Sequence, residues 1–274
     1  MSEGGAADRH PTAIVDPDAR IDAGASIGPY AVLGAGVEVG AGVRIGPHAH
    51  VRGRTRLSAG VQVFPYASVG EISQDMKYAG EDTALVVGER TVIREHATLH
   101  LGTCGGGGVT RVGADCLLMV GVHVAHDCEI GDHVILSNGV GLGGHVAIQD
   151  HVVMGAMSGV HQFCHIGKHA MVGAMSAVDA DLPPYCVCSG NRARLEGLNL
   201  RGLRRRGFDR SGIAALRRAY EEMFKGDGRL ADRLQRLSDC LTPDELATPE
   251  VQALCAFLAV RTRNRRPLMP LARR

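Results

Sequence analysis

An aliphatic residue returns every sixth position, ten times in succession, from Val15, Ile21 and Ile27 through Val63 to Val69. The beat resumes at Val87, Ile93 and Leu99, then runs unbroken from Val112 through Val124, Leu142 and Val160 to Val178. Two positions before each stands a small or β-branched residue, such as Ala25, Cys116 or Ser158. A helix repeats near 3.6 residues and an ordinary strand near two, and neither fits six. Six is the period of hexapeptide repeats, whose short strands wind into a parallel β-helix with three strands per triangular coil. Residues 18 apart must then stack, about 4.8 Å from one another. Roughly nine or ten coils make a rod on the order of 45 Å long.

Composition agrees with a narrow interior. Aromatics make up 4% of the 274 residues and Trp is absent, whereas Gly reaches 37. Cys116, Cys128 and Cys164 take the small inward position of the repeat and are expected to pack as small hydrophobes. Cys186 and Cys188 form a CxC pair with no second pair at zinc-site spacing, so no metal site is assigned to them. A net charge of +1 argues against bulk nucleic-acid binding. No stretch reads as a signal peptide or membrane span, which predicts a cytoplasmic protein without membrane insertion.

The chain divides into a β-helix over residues 11–190 and a helical part over 191–274. Residues 1 to about 10 are Gly/Ala-rich and are expected to fray. Pro183-Pro184 is expected to end the ladder, since proline cannot donate to it. Ile213, Leu216, Tyr220 and Met223 then follow helical spacing behind Asp209 as N-cap, and further helices are expected over 230–237 and 250–260. Arginine crowds this part, at 201, 204–206, 217, 218, 261, 263, 265 and 266. Two places break the beat: Asp75 and Glu81 replace aliphatics within residues 71–83, and one extra residue near 105–108 stretches the Leu99-to-Val112 interval. Both read as loops leaving the rod, and loops on rigid scaffolds commonly carry function.

Stacking arithmetic assembles a candidate site. Val124, Leu142 and Val160 form one column, and His123, His126, His145 and His161 lie within three residues of it. His126 stacks on Gly144, and Asp127 on His145. This suits acyl transfer to a hydroxyl. His126 would take the hydroxyl proton, Asp127 would orient the imidazole, and the Gly144 amide would donate to the oxyanion. Solvated corner histidines and a zinc site both remain open on spacing alone. His133, His151, His165 and His169 fit the solvated description.

The strings Val122-His123-Val124-Ala125-His126-Asp127-Cys128, Gly143-Gly144-His145 and Val160-His161-Gln162-Phe163 resemble the UDP-N-acetylglucosamine O-acyltransferases of lipid A biosynthesis. So do Gln74-Asp75-Met76-Lys77-Tyr78-Ala79-Gly80, Asp181-Leu182-Pro183-Pro184-Tyr185 and Gly202-Leu203-Arg204-Arg205-Arg206-Gly207-Phe208. The resemblance implies a left-handed parallel β-helix followed by a small α-helical domain. It implies a homotrimer with sites between subunits, and transfer of a 3-hydroxyacyl group from acyl carrier protein to the 3-hydroxyl of UDP-N-acetylglucosamine. It names no cofactor. On it, His126 is the base, Asp127 its partner and Gly144 the oxyanion donor. Asp75, Lys77, His123, His145 and His161 contact sugar, diphosphate or acyl-pantetheine, and Asn199 and Arg205 reach the nucleotide. Ala174 aligns with the stop that sets acyl-chain length, where alanine implies modest shortening. Arg217 and Arg218 offer charge to the acidic carrier.

Two residues depart from the pattern: Arg201 replaces an acidic nucleotide contact and Arg192 a histidine. Four competing readings are a 3-amino sugar nucleotide acceptor, an N-acyltransferase (which usually carries a domain before the β-helix), a zinc hydratase of the carbonic anhydrase type, and a non-catalytic rod.

Overall fold

The computed structural model describes residues 7–260 and 266–272, so Arg261, Arg263 and Arg265 of the basic tail lie outside the described residues. Strands of mostly two residues, such as His123–Val124, Glu129–Ile130 and Ile135–Leu136, wind into a left-handed parallel β-helix with three faces. Among the described residues these are sheet A (11 strands, including Ile135–Leu136), sheet B (nine, including His123–Val124) and sheet C (eight, including Glu129–Ile130). Register follows the sequence arithmetic: His123 pairs with Gly141, Glu129 with Ala147, and Ile135 with Val153, each 18 apart. The aliphatic beat points inward and is buried from Ile27 to Val178. Ladder pairing starts at Asp8–Arg9 against Ser26–Ile27, so part of the segment expected to fray is held in the sheet.

At the corners, the third residue commonly adopts a left-handed conformation, as at Tyr30 (φ 58°), Asp127 (φ 58°), His145 (φ 61°) and His169 (φ 57°). The geometry throws successive side chains into one column. Tyr30, His48, Tyr66 and His96 stack at 5.1–5.3 Å on the A/B corner. His133, His151, His169 and Tyr185 do so on the C/A corner. His133, His151 and His169 are therefore members of a ring stack, with His133 still exposed as a solvated corner residue and the other two half-buried. His165 lies on a strand of sheet C rather than at a corner.

Pro183-Pro184 does not end the ladder. Cys186–Ser189 adds one more parallel strand beside Met171–Val172, and Arg194–Leu198 follows antiparallel. Pro183 occupies the corner position at which Gly167 donates its N–H to Leu182 of the next coil. That donor has no further coil to serve at the rod's end, so proline is tolerated. The CxC cysteines belong to this strand and are buried.

Among the described residues five helices follow: α1 Leu200–Arg205, α2 Arg210–Lys225, α3 Leu230–Cys240, α4 Pro243–Leu246 and α5 Pro249–Ala259. Asp209 caps α2 by accepting from Gly212 N–H, and Ile213, Leu216, Tyr220 and Met223 form its buried stripe. Thr242 and Glu245 form a reciprocal capping box on α4. Sequence periodicity missed α1 and α4 because six- and four-residue helices are too short to show it. Residues 266–272 return to the rod, where Asp181 bridges Leu268 and Leu195 bridges Leu271.

Candidate functional site

Both interruptions leave the rod at one corner, between sheets B and C, and the histidine–glycine strings form that same corner. There Ala125-His126-Asp127-Cys128 lies beneath Gly143-Gly144-His145-Val146, with His161-Gln162-Phe163-Cys164 above. The second residue of this corner is Pro17 at the rod's base, His126, Gly144 and then Gln162. The ladder makes no use of an amide at a position that accepts proline. Accordingly, the Gly144 N–H has no protein acceptor among the described residues.

His126 Nδ1 lies 2.8 Å from Asp127 Oδ2. With Nδ1–H directed at that carboxylate, Nε2 keeps its lone pair for an incoming proton. The ring lies against Gly144: a Cβ built there would come 2.5 Å from Cε1 and 2.6 Å from Nε2. Glycine thus makes room for the imidazole as well as leaving an amide beside it. The Asp127 side chain has no solvent exposure, which would be costly for an unsatisfied carboxylate. Besides His126, Thr103 N–H donates to Oδ1 (2.8 Å) and Thr103 Oγ1 to Oδ2 (2.6 Å). Thr103 belongs to the second interruption and was missed by sequence reasoning.

His145 packs face to face with Phe163 at 4.6 Å and edge-on to His126 at 5.0 Å. Burial lowers its pKa, opposed by the charge of Asp127. His145 Nε2 also lies 3.9 Å from Asp127 Oδ2. Asp75, Lys77, Tyr78 and Glu81 of the first interruption meet Thr103, Gly105, His145 and Phe163 around a cavity of about 320 Å³. His123 projects from sheet B, its Nδ1 2.8 Å from Thr98 Oγ1 and its ring edge-on to His100 at 5.0 Å. Burial lowers the pKa of His123 and brings that of His100 down to about 4. His161 is exposed, and Arg266 of the returning tail places Nη2 2.5 Å from its Nδ1.

The remaining expected residues lie elsewhere on the chain. Asn199 caps α1 through Gly202 N–H (3.1 Å) and donates to His169 O (2.9 Å), which fixes it at the C/A corner. Arg205, on the same helix, is exposed and has no ion-pair partner among the described residues. Ala174 is exposed on the A/B corner beside Met175. One chain therefore spreads the expected residues over three corners.

His126, Asp127 and His145 also hold donor atoms within 4.8 Å of one another, a span that a metal ion could bridge. The fit is poor, since three protein donors already occupy the Asp127 oxygens.

A rod of hexapeptide repeats bearing a His–carboxylate pair and an uncommitted corner amide is the framework of a hexapeptide-repeat acyltransferase. The model described as bacterial transferase hexapeptide (six repeats) matches residues 18–53 and 110–144. That described as Udp N-acetylglucosamine O-acyltransferase, Domain 2, matches residues 181–268. The acyl-[acyl-carrier-protein]–UDP-N-acetylglucosamine O-acyltransferase of Paraburkholderia phytofirmans is 48% identical over 255 residues, covering 93% of this chain and 97% of that protein. Among solved structures, LpxA of Acinetobacter baumannii aligns with a TM-score of 0.87 at 43% identity, covering 91% of this chain and 96% of that one. The UDP-N-acetylglucosamine acyltransferase of Campylobacter jejuni aligns at 0.88 and 34% identity, covering 97% and 100%. The chain belongs to the acyl-[acyl-carrier-protein]–UDP-N-acetylglucosamine O-acyltransferase family.

Proposed function

We propose that the protein moves a 3-hydroxyacyl group from acyl carrier protein to the 3-hydroxyl of UDP-N-acetylglucosamine, opening lipid A biosynthesis. The observation that carries this reading is the His126 ring, held by Asp127 at Nδ1 and lying against Gly144, in a chain of this family. The sugar oxygen attacks the thioester carbonyl while His126 Nε2 accepts its proton. The Gly144 amide stabilises the oxyanion. As the C–S bond breaks, the proton passes to the departing thiolate. Lys77 and Arg205 supply cationic charge for the diphosphate, and Asp75, His123, His145 and His161 line the sugar and acyl-pantetheine region.

A homotrimer accounts for residues at separate corners contributing to one site. Sheet A supports it. From Val92 onward its outward residues Val92, Leu117, Ile135, Val153, Met171 and Val187 are apolar, like the inward residues that alternate with them, whereas the earlier strands turn Ser26, Arg44 and Gln62 outward. A stretch of parallel sheet apolar on both faces is normally covered on both. Among the described residues, no helix is long and apolar enough to cross a membrane, in keeping with a cytoplasmic enzyme. For the carrier, Arg217 remains a candidate contact, whereas Arg218 is engaged by Glu245.

The test is acyl transfer from a panel of 3-hydroxyacyl carrier proteins to UDP-N-acetylglucosamine, repeated with His126→Ala. Loss of turnover with the oligomer intact supports the base, and full turnover refutes it. The His126–Asp127–His145 spacing keeps a zinc reading testable: stoichiometric zinc required for activity would replace the general-base account.

A further inference from the structure

We infer that Thr103 is a positioning residue for the reaction, and that residues 102–108 form a dry clamp holding Asp127 against His126. The inference rests on the His126–Asp127 reading proposed above.

The coil from Leu99 to Val124 spans 25 residues instead of 18, a surplus of seven rather than the single residue that six-residue counting shows. The surplus folds back over the coil that follows. A single 3-10 turn, Cys104–Gly106, aims the Thr103 N–H and hydroxyl at the two Asp127 oxygens. Gly106 packs so closely that a Cβ there would fall on the Asp127 carboxyl group, and one at Gly102 would come 2.9 Å from Oδ1. The glycines thus let backbone close over the carboxylate and exclude water from it. Oδ2 takes both the Thr103 hydroxyl and the His126 ring, so the hydroxyl fixes the oxygen that sets the imidazole's orientation. The Asp127 backbone is secured independently, its N–H donating to Thr110 Oγ1 at 2.8 Å. The corner should therefore survive loss of the Thr103 hydroxyl while the carboxylate gains freedom to rotate.

The experiment compares Thr103→Val, Thr103→Ala and Thr103→Ser in the full-length oligomer, with melting temperature recorded for each. Removing a hydrogen bond to a charged group predicts a kcat lower by about 10- to 100-fold in Val and Ala. KM for both substrates should stay within about twofold of wild type, since the Thr103 hydroxyl, though on the cavity wall, is held by Asp127. Thr103→Ser keeps the hydroxyl and should restore kcat to within about threefold of wild type. On the residual rate of Asp127→Ala, Thr103→Val should add less than about twofold, because the two act through one carboxylate. Wild-type kcat in Thr103→Val, a Ser variant as impaired as Val, or an equal loss without Asp127 would overturn the inference. Those outcomes leave the base reading standing if His126→Ala is inactive, whereas an active His126→Ala removes that reading itself.

Discussion

On the proposed mechanism, replacing Gly144 with alanine separates two functions of one residue. The variant keeps the amide N–H that this mechanism offers to the oxyanion and adds a methyl group where the His126 ring lies. That methyl would stand 2.5 Å from Cε1 and 2.6 Å from Nε2, against the 3.5–4.0 Å of ordinary carbon contacts. The ring must move by about 1 Å. It cannot yield toward Asp127, already 2.8 Å from Nδ1, and the edge-on His145 ring restricts another path. Swinging outward breaks the bond to Asp127 and carries Nε2 off its line to the acceptor hydroxyl. A 1 Å misplacement costs on the order of 100-fold in rate. Gly144→Ala should therefore lose about two decades of kcat in the carrier-dependent assay, with KM for UDP-N-acetylglucosamine nearly unchanged. Overpacking one corner should cost about 1–3 kcal/mol, measurable as an earlier urea midpoint without loss of the β-sheet signal. A kcat within about threefold of wild type would show that contact between ring and glycine does not constrain the base.

Three further outcomes follow from burial and placement. Burial brings His100 and His169 to pKa values of about 4, so between the ordinary value near 6.5 and about 4 the unfolded chain binds more protons than the folded one. Stability should accordingly fall as pH drops through that window, by about 1–2 kcal/mol per histidine after allowance for partial solvent access; urea midpoints that do not change between pH 7 and 5 would contradict this. Iodoacetamide should label the exposed Cys104 and Cys240 first, sparing Cys116, Cys128, Cys164 and Cys188, whose buried thiols are pushed up to about 11 or 12; peptide mapping showing early modification of those four would count against the packing. Ala174→Gly should favour longer acyl donors and Ala174→Met shorter ones, by at least about tenfold in relative kcat/KM; an unchanged preference across carrier-bound chain lengths would remove Ala174 from the acyl site.

Sequence arithmetic read the rod well because register there is a counting problem. It placed His126 on Gly144 and Asp127 on His145 without needing a side-chain angle. Arithmetic stopped at the second interruption, where the coil runs to 25 residues and no stacking partner can be assigned to Thr103. The threonine carries no motif, and its distance of 24 residues from Asp127 has no meaning in an 18-residue repeat. The histidines at 133, 151 and 169 were spaced to stack, but only the left-handed corner conformation reveals that their rings face one another. Proline at 183 misled for the opposite reason. A rule about ladder donors applies only where another coil follows.

The separation of the two expected half-sites along the rod is counted in whole coils. His126 lies level with His133, whereas Asn199 is fastened to His169 and Tyr185, two to three coils farther on. At about 4.8 Å per coil, this is an axial offset on the order of 10–15 Å. Symmetry about an axis parallel to the rods would preserve that offset from one chain to the next. The fold is then a gauge block whose length changes only in steps of one strand spacing. Deleting 18 residues between the two levels would bring them about 4.8 Å closer and mismatch any substrate that spans them. The same deletion nearer the N-terminus would shorten the rod and leave the gauge untouched.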